Sequence, residues 1–285
     1  MTLLDQILNV VCVLLWLNWR SNAADPLTLA TPVTLAGTLR RAENQRFKGW
    51  KFLASVVLLL FLRAVIYRQI GPGAEWTPKM NLMFVALAFR SDNFNLCLLY
   101  SALSFGRALL VLYVWLLAIA LINRGKADPG PVQRLVHQRL GPVASWPWVL
   151  QLLLPFVLTT AIWLAINPLL LKLNITSQPR SFVHLVEQGA LVGLGIVFSL
   201  KYLIPCLLLL HLLLTYVYLG PNPIWEFISG TSKNMLSPLN WIPLRLGKLD
   251  LAPVVGILLA VGLLYVVPEV SLKTMLDRNL TIWPR

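Results

Sequence analysis

Several long apolar runs constrain this chain more than any other feature of its sequence. Runs such as 96–122, 149–171 and 189–219 can each cross about 30 Å of hydrocarbon at about 1.5 Å per helical residue. Hydrophobic residues make up 58% of the chain and charged residues only 12%, where a soluble domain has about 25% charged. A soluble core cannot bury so many apolar runs, so we expect an integral membrane protein.

Six apolar segments are predicted to span the membrane. Backbone groups in lipid must form hydrogen bonds within their own segment, and these runs are apolar on all sides, which favours helices over alternating strands. The predicted fold is all-α: a polytopic membrane helix bundle of about six spans arranged as helical hairpin repeats. Asp5 stands where a signal peptide would carry basic residues, so we expect the first span to be retained. The predicted spans are 3–19, 52–67, 96–122, 149–171, 189–219 and 251–267.

Basic residues concentrate on one side of these spans. Thirteen of the 24 Lys and Arg residues lie in the loops 20–51, 123–148 and 218–250, whereas eight lie on the opposite side and three lie inside apolar runs. The positive-inside rule then makes the three loops cytoplasmic and both termini extracytoplasmic. Loops that face anionic lipid also explain the net charge of +13, and no zinc-finger or RNP-like motif supports a nucleic-acid partner.

The three basic loops repeat one design. In each, a helix ends near Asp-Pro or Asn-Pro (25–26, 128–129 and 222–223), and a Trp precedes the next helix. Proline cannot continue a helix, and the Asp or Asn can cap the segment that follows. Arg107 precedes Asp128, and Lys201 precedes Asn222, by the same 21 residues, which supports a repeat.

The repeat gives the predicted organisation of the chain. After the second dipeptide, Val132, Leu135, Val136 and Leu140 share one face, which predicts a short interfacial helix. The tryptophans at 146, 148 and 241 are expected near the same interface. The predicted segments are an N-terminal hairpin at 1–70, an extracytoplasmic connector at 71–95, a hairpin at 96–171, a connector at 172–188, a hairpin at 189–270 and a tail at 271–285.

The third loop carries a resemblance to a known family. Residues 238–255 read PLNWIPLRLGKLDLAPVV, a Pro-rich basic stretch followed by Gly-x-x-Asp-Leu-x-Pro at the start of a membrane helix. With the preceding Asn-Pro, this pattern resembles the YggT family, called YlmG in Gram-positive bacteria, over about 195–268 and weakly over 98–170. Ala252 replaces the family's usual Ser, and a third hairpin departs from its usual two. The motif residues are Asn222, Pro223, Pro238, Pro243, Arg245, Gly247, Asp250 and Pro253.

The resemblance implies a multi-pass protein of the bacterial inner membrane. The resemblance links the chain to relatives with roles in cell division, in nucleoid distribution in plastids or in haem attachment on a cytochrome b. None of these roles implies a chemical activity. The resemblance also implies that Asp250 opens the last helix, and a capping role is expected there because its carboxylate can accept first-turn amides.

Charged residues inside the apolar runs are the other candidate functional positions. Arg107 and Lys201 either line a substrate or ion path or mark the outer ends of their spans and extend to the headgroups. Arg63 is expected to extend to the headgroups as well. His211 is the one histidine inside an apolar run, and we expect it to form a hydrogen bond to a neighbouring helix rather than ligate haem.

No catalytic or cofactor motif accompanies these positions. The cysteines at 12, 97 and 206 lie singly, the pair His184 and Glu187 is too small a set for a metal, and HExxH, GxSxG and Walker patterns are absent. We therefore expect no enzyme and no cofactor. The predicted function is a membrane scaffold or assembly factor that contacts membrane lipid and a membrane-protein partner or a second copy. The alternative is a small repeat-built transporter or channel.

Overall fold

The computed structural model confirms a helical bundle. Five helical stretches are long and apolar enough to cross a membrane: Leu3–Ser21, Gly49–Ile70, Phe94–Ile122, Trp148–Lys172 and Phe182–Tyr216. The sixth predicted span falls in a further helix, whose described apolar part is Ala252–Gly262. The structure describes residues 2–24, 35–73, 77–82, 86–124, 130–217, 220–241, 245–246 and 249–277.

Helices succeed one another along the chain with two short hairpins between them. The helices are α1 (Thr2–Ala24), α2 (Leu35–Ile70), α3 (Phe94–Ile122), α4 (Pro131–Leu140), α5 (Trp148–Lys172), α6 (Phe182–Val197), α7 (Leu200–Tyr216), α8 (Pro223–Leu236) and α9 (Ala252–Asp277). The hairpin strands are β1 (Lys79–Asn81), β2 (Ala86–Ala88), β3 (Arg245–Leu246) and β4 (Leu249–Asp250). Two 3₁₀ segments, Gly141–Ser145 and Ser237–Trp241, follow α4 and α8.

The chain divides into two compact units. Unit 1 comprises Met1–Met80 and Leu87–Leu109, and unit 2 comprises Asn81–Ala86 and Leu110–Arg285. In unit 1, α1 packs along α2, and the first half of α3 completes a small apolar core around Cys12, Val56 and Phe105.

Unit 2 contains a close hairpin of α5 and α6. A Cβ atom at Gly189 would lie 3.0 Å from Thr160 Cγ2, and one at Gly193 would lie 3.4 Å from the Cα of Phe156. The two glycines thus let the helices approach closely, as small residues do in membrane helix pairs. The helix α6 begins at Phe182, seven positions before the predicted start of the fifth span at residue 189.

The fifth predicted span is interrupted. Residues 198–199 form a turn between α6 and α7, where Ser199 N donates to Ile196 O (3.0 Å) instead of continuing the α-helical pattern. The Ser199 hydroxyl accepts a hydrogen bond from Trp115 Nε1 (3.1 Å), which ties this turn to α3. Beyond the turn, α7 packs against both α8 and α9.

Two segments of unit 2 show the same order of elements. In the first, α3 is followed by α4, a 3₁₀ segment and α5; in the second, α7 is followed by α8, a 3₁₀ segment and α9, with the β3–β4 hairpin added before α9. Both short helices begin at a proline, Pro131 and Pro223. Both 3₁₀ segments carry a proline at their second position, Pro142 and Pro238. Proline at the first helical position is favourable because its missing N–H would be unpaired there in any case.

Candidate functional site

Three helices of unit 1 each contribute two polar side chains to one buried cluster. In every helix the two residues are four positions apart, so they lie on the same face. This group, which we call the Arg63 cluster, consists of Asp5 and Asn9 of α1, Arg63 and Tyr67 of α2, and Tyr100 and Ser104 of α3.

The guanidinium of Arg63 is the centre of the cluster. Its Nη2 donates to Asp5 Oδ1 (2.6 Å) and Ser104 Oγ (3.2 Å), its Nη1 donates to Asn9 Oδ1 (2.9 Å), and its Nε donates to Tyr67 Oη (3.2 Å). Arg63 is only 2% exposed. All three nitrogens of the guanidinium therefore have partners, which is what a charge removed from water requires.

The carboxylate of Asp5 is the matching acceptor. Besides the ion pair with Arg63, it accepts hydrogen bonds from the hydroxyls of Tyr67 and Tyr100, the latter at 3.0 Å. The Arg63 guanidinium also lies 5.4 Å and 5.2 Å from the ring centroids of these tyrosines. One positive and one negative charge thus share a set of neutral donors and acceptors, and the cluster as a whole carries no net charge.

The prediction that Arg63 extends to the headgroups is wrong. The position of a residue along an apolar run predicts how far it lies from the end of the helix, but not which side of the helix it occupies. Arg63 lies on the side of α2 that faces Asp5. Arg63 lies seven residues, about 10 Å, from the end of α2, and Tyr100 lies at a similar distance from the start of α3. A sequence signal for the cluster does exist: three apolar runs each carry a polar pair with i,i+4 spacing.

A second polar junction lies in unit 2 at the end of α3. Asn123, which is 1% exposed, donates from Nδ2 to Thr231 Oγ1 (2.9 Å) and accepts at Oδ1 from Asn234 Nδ2 (2.9 Å). Its backbone oxygen accepts from Gln133 Nε2 (3.0 Å). The Asn123 junction therefore joins α3 to both short helices, α4 through Gln133 and α8 through Thr231 and Asn234.

The short helices form a surface that we call the α4–α8 platform: α4, α8 and the two 3₁₀ segments that follow them. Its inner side packs Val136 and Leu140 against Leu117 and Ala120 of α3. Leu135, predicted to share that face, is instead 51% exposed, and the buried Gln133 takes the inner position. The platform and the residues that border it expose cationic and aromatic side chains: Arg134, Lys233 and Trp241 on the platform, and Arg124, Trp146 and Trp148 beside it.

Further hydrogen bonds attach the platform to the long helices. Ser232 Oγ, fully buried, donates to Leu207 O of α7 at 3.0 Å. Gln151 Nε2 of α5 donates to Val143 O (2.8 Å) and Ala144 O (2.9 Å) of the first 3₁₀ segment. The two short helices and the first 3₁₀ segment are thus each held at a long helix by polar contacts.

The structure places several of the predicted motif residues at helix ends. Asn222 caps α8 by accepting a hydrogen bond from Ile224 N (3.0 Å), which is the role expected of Asn before Pro223. Pro238 lies in the second 3₁₀ segment, and Pro253 is buried at the second position of α9. Pro243, Gly247, Asp25-Pro26 and Asp128-Pro129 lie outside the described residues.

Asp250 does not occupy the expected capping position. It lies in β4, where its backbone pairs with Arg245 of β3 in a two-residue antiparallel hairpin. Leu251 instead precedes α9, and its carbonyl accepts the hydrogen bond from Val255 N (3.0 Å). Because Asp250 belongs to the β3–β4 hairpin, α9 begins at Ala252, one residue later than the motif predicts.

Arg107 lies well inside α3, whereas Lys201 is the second residue of α7, directly after the turn at 198–199. Arg107 has 13 residues of α3 before it and 15 after it. Lys201 is preceded by all of α6, which runs from Phe182 to Val197. The Lys201 ammonium lies 4.8 Å from the ring centroid of Tyr202, a cation–π contact.

No family model, curated protein or solved structure matches this chain. The resemblance to the YggT family therefore stays a prediction that rests on the motif residues. Within the described residues, no group of three or more His, Cys, Asp or Glu side chains could hold a metal ion. His211 is buried on α7, and its backbone oxygen accepts a hydrogen bond from Thr215 Oγ1 (2.9 Å).

Proposed function

We propose that this protein is a non-enzymatic scaffold or assembly factor of YggT type in the bacterial inner membrane. Both termini would be extracytoplasmic, and the α4–α8 platform would face the cytoplasm. The observation that carries the proposal is the Asn123 junction, because it fixes two exposed amphipathic helices to the end of a membrane span. A surface held in this way can present the same groups to a partner in every molecule.

The exposed groups of the platform suit an anionic lipid headgroup layer or an acidic partner. Lys233 and Arg124 are exposed, and Trp148 and Trp241 are 61% and 94% exposed. Tryptophan favours the membrane interface, and cations near an anionic surface are attracted by about 1 kcal/mol each. This combination favours a platform that lies at the headgroups and binds either the lipid or a membrane protein there.

Two features favour a scaffold over the alternative of a small transporter or channel. The charges of the Arg63 cluster are used to hold three helices together. In unit 2, a cavity of about 240 Å³ between α3, α5, α6 and α7 is lined by apolar side chains throughout, among them Leu117, Phe156 and Leu203. A path for ions or polar solutes is lined by carbonyls, charges or other polar groups. The transporter hypothesis rests on Arg107 and Lys201, the two charged residues of the apolar runs that the Arg63 cluster does not use.

The proposal is tested by isolating the protein from its native membrane with its bound proteins and lipids. Charge reversal at Arg124 and Lys233 should remove at least one retained protein or reduce the bound anionic lipid several-fold. The matched control is charge reversal at Lys172, the last residue of α5, and at Arg180 in the connector to α6, which are also exposed. Equal losses in both variants, or no retained component in the unaltered protein, would contradict the platform as a binding surface.

Reconstituted vesicles test the alternative directly. A scaffold should leave ion and solute permeability at the level of protein-free vesicles. Flux that depends on Arg107 or Lys201 would replace the scaffold proposal with the transporter hypothesis.

A further inference from the structure

Three buried side chains of the α5–α6 hairpin each carry one polar atom that has no hydrogen-bond partner among the residues that the structure describes. The atoms are Trp163 Nε1, Asn167 Nδ2 and Thr176 Oγ1. Trp163 and Thr176 are each 5% exposed and Asn167 is 1% exposed. Such groups are costly in an apolar surrounding, and the cost is higher inside a membrane, where no bulk water can satisfy them.

The register of the hairpin places these side chains along one seam. Gly189 lies against Thr160 and Gly193 against Phe156, so α6 runs antiparallel to α5 and advances by the same number of residues. Trp163 and Asn167, four apart on one face of α5, therefore lie opposite the first turns of α6. Thr176 follows at the connector, where Ile175 N donates to Leu170 O (3.0 Å) and turns the chain back.

The hydrogen-bonding properties of the three groups indicate which kind of molecule could bind in the seam. The indole N–H and the amide NH₂ can only donate, so two of the three unpartnered groups suit an acceptor such as a water oxygen rather than a cation. All three side chains are at least nine-tenths covered by protein, which leaves no opening for a lipid headgroup. A water oxygen accepts two hydrogen bonds, and water hydrogens can be donated to the Thr176 hydroxyl. Buried waters make about three such bonds to polar groups that would otherwise be unsatisfied.

We propose that the α5–α6 hairpin holds ordered water in a seam lined by Trp163, Asn167 and Thr176. Water enters from the connector at 173–181. The seam ends where Gly189 and Gly193 bring α6 against the backbone of α5, because no room for water is left at that contact. It is a blind, hydrated site that keeps the hairpin polar groups satisfied, and it does not depend on the proposed scaffold function.

The first test observes water at the Trp163 indole by nuclear magnetic resonance. Protein labelled with ¹⁵N in its tryptophans is placed in lipid nanodiscs, and the Trp163 signal is assigned by its loss in Trp163→Phe. Magnetisation transfer from water to this indole proton is expected, with at least a two-fold loss in Asn167→Leu. Trp115 is the internal control, since its indole donates to Ser199 Oγ (3.1 Å) and should show no such transfer.

Transfer from lipid protons instead of water would identify a lipid in the seam and overturn the proposal. A Trp163 signal that behaves like that of Trp115 would also overturn it, because the seam would then be dry.

The second test uses the sign of a stability change. If the Thr176 hydroxyl bonds to water, Thr176→Val should lower the unfolding midpoint by about 2–4 °C. If that hydroxyl has no partner, the isosteric Val should raise the midpoint, since an unsatisfied group is removed. Thr159→Val is the matched control, because the Thr159 hydroxyl has a protein acceptor in Pro155 O (2.5 Å) and should lower the midpoint whether or not the seam holds water. A rise in the midpoint of Thr176→Val would contradict the water site.

Discussion

The Arg63 cluster of unit 1 and the Asn123 junction of unit 2 solve the same problem with different chemistry. Each joins three helices through polar side chains that are buried or half-buried. The Arg63 cluster uses an ion pair with neutral hydroxyl and amide groups around it, whereas the Asn123 junction uses only neutral amides and one hydroxyl. The two sites therefore differ in what happens when a single partner is removed.

In the charged cluster each partner depends on the others. Removing one member of a buried ion pair leaves an unpaired charge, which costs far more than the pair contributes. In the neutral junction the loss of one partner leaves an unsatisfied amide or hydroxyl, a smaller penalty. Unit 1 should thus respond to mutation in an all-or-none manner, and the junction in unit 2 should respond in steps.

The largest effect is expected for Asp5→Ala. The variant leaves the Arg63 guanidinium buried without its counter-charge, and breaking such a pair costs about 3–5 kcal/mol. Thermal unfolding in nanodiscs should show a midpoint lowered by about 10 °C, on a scale of about 2–4 °C per kcal/mol. Most of this loss should return in the double variant Asp5→Leu with Arg63→Met, because no charge then remains buried.

Arg63→Lys sharpens the same comparison. Lysine keeps the positive charge but cannot donate in the planar geometry that reaches Asp5, Asn9 and Tyr67 at once. An intermediate loss of stability is expected. If the double apolar variant is no more stable than Asp5→Ala alone, the ion pair is not the basis of the effect.

A smaller effect is expected for Asn123→Leu. The change removes the hydrogen bonds to Thr231 and Asn234 and leaves these groups buried without a partner, which costs about 1–3 kcal/mol. The platform should loosen before the rest of unit 2, and proteolysis or hydrogen exchange at α4 and α8 should report this. Asn234→Ala removes only one of the contacts and should give a part of the effect. An equal or larger loss in Asn234→Ala would show that Asn123 is not the centre of the junction.

The sequence predicts the two sites unequally. The apolar runs predict the helical bundle, because length and composition alone decide which segments can cross a bilayer. The Arg63 cluster could not be placed by the same reasoning, since a run that is apolar on all sides carries no information on rotation about its axis. Only the i,i+4 pairs, such as Asp5 with Asn9, mark the inward face.

Local signals near helix ends predict some of the observed helix starts and not others. Asn222 before Pro223 predicts a capped helix start, and the structure contains it. The start of α6 was missed because His184 and Glu187 interrupt the apolar run, although Ser181 caps the helix through His184 N (3.2 Å). The sequence predicts a cap at Asp250 because it cannot show that β3 pairs with β4. Contacts between residues distant in sequence decide such cases.

The smallest effect is expected at the exposed start of α8, and it separates local from tertiary stabilisation of the platform. Asn222→Ala removes the hydrogen bond from Ile224 N and should cost about 0.5–2 kcal/mol, whereas Asn222→Asp should keep most of the stability because Asp also caps. In the Asn123→Leu background the same cap should matter more for α8, since the helix then has fewer tertiary contacts to hold it. Circular dichroism and hydrogen exchange of α8 in the single and double variants measure this coupling. Strictly additive losses would mean that cap and junction stabilise α8 independently, and the platform would then be held by separate local contacts rather than by one cooperative junction.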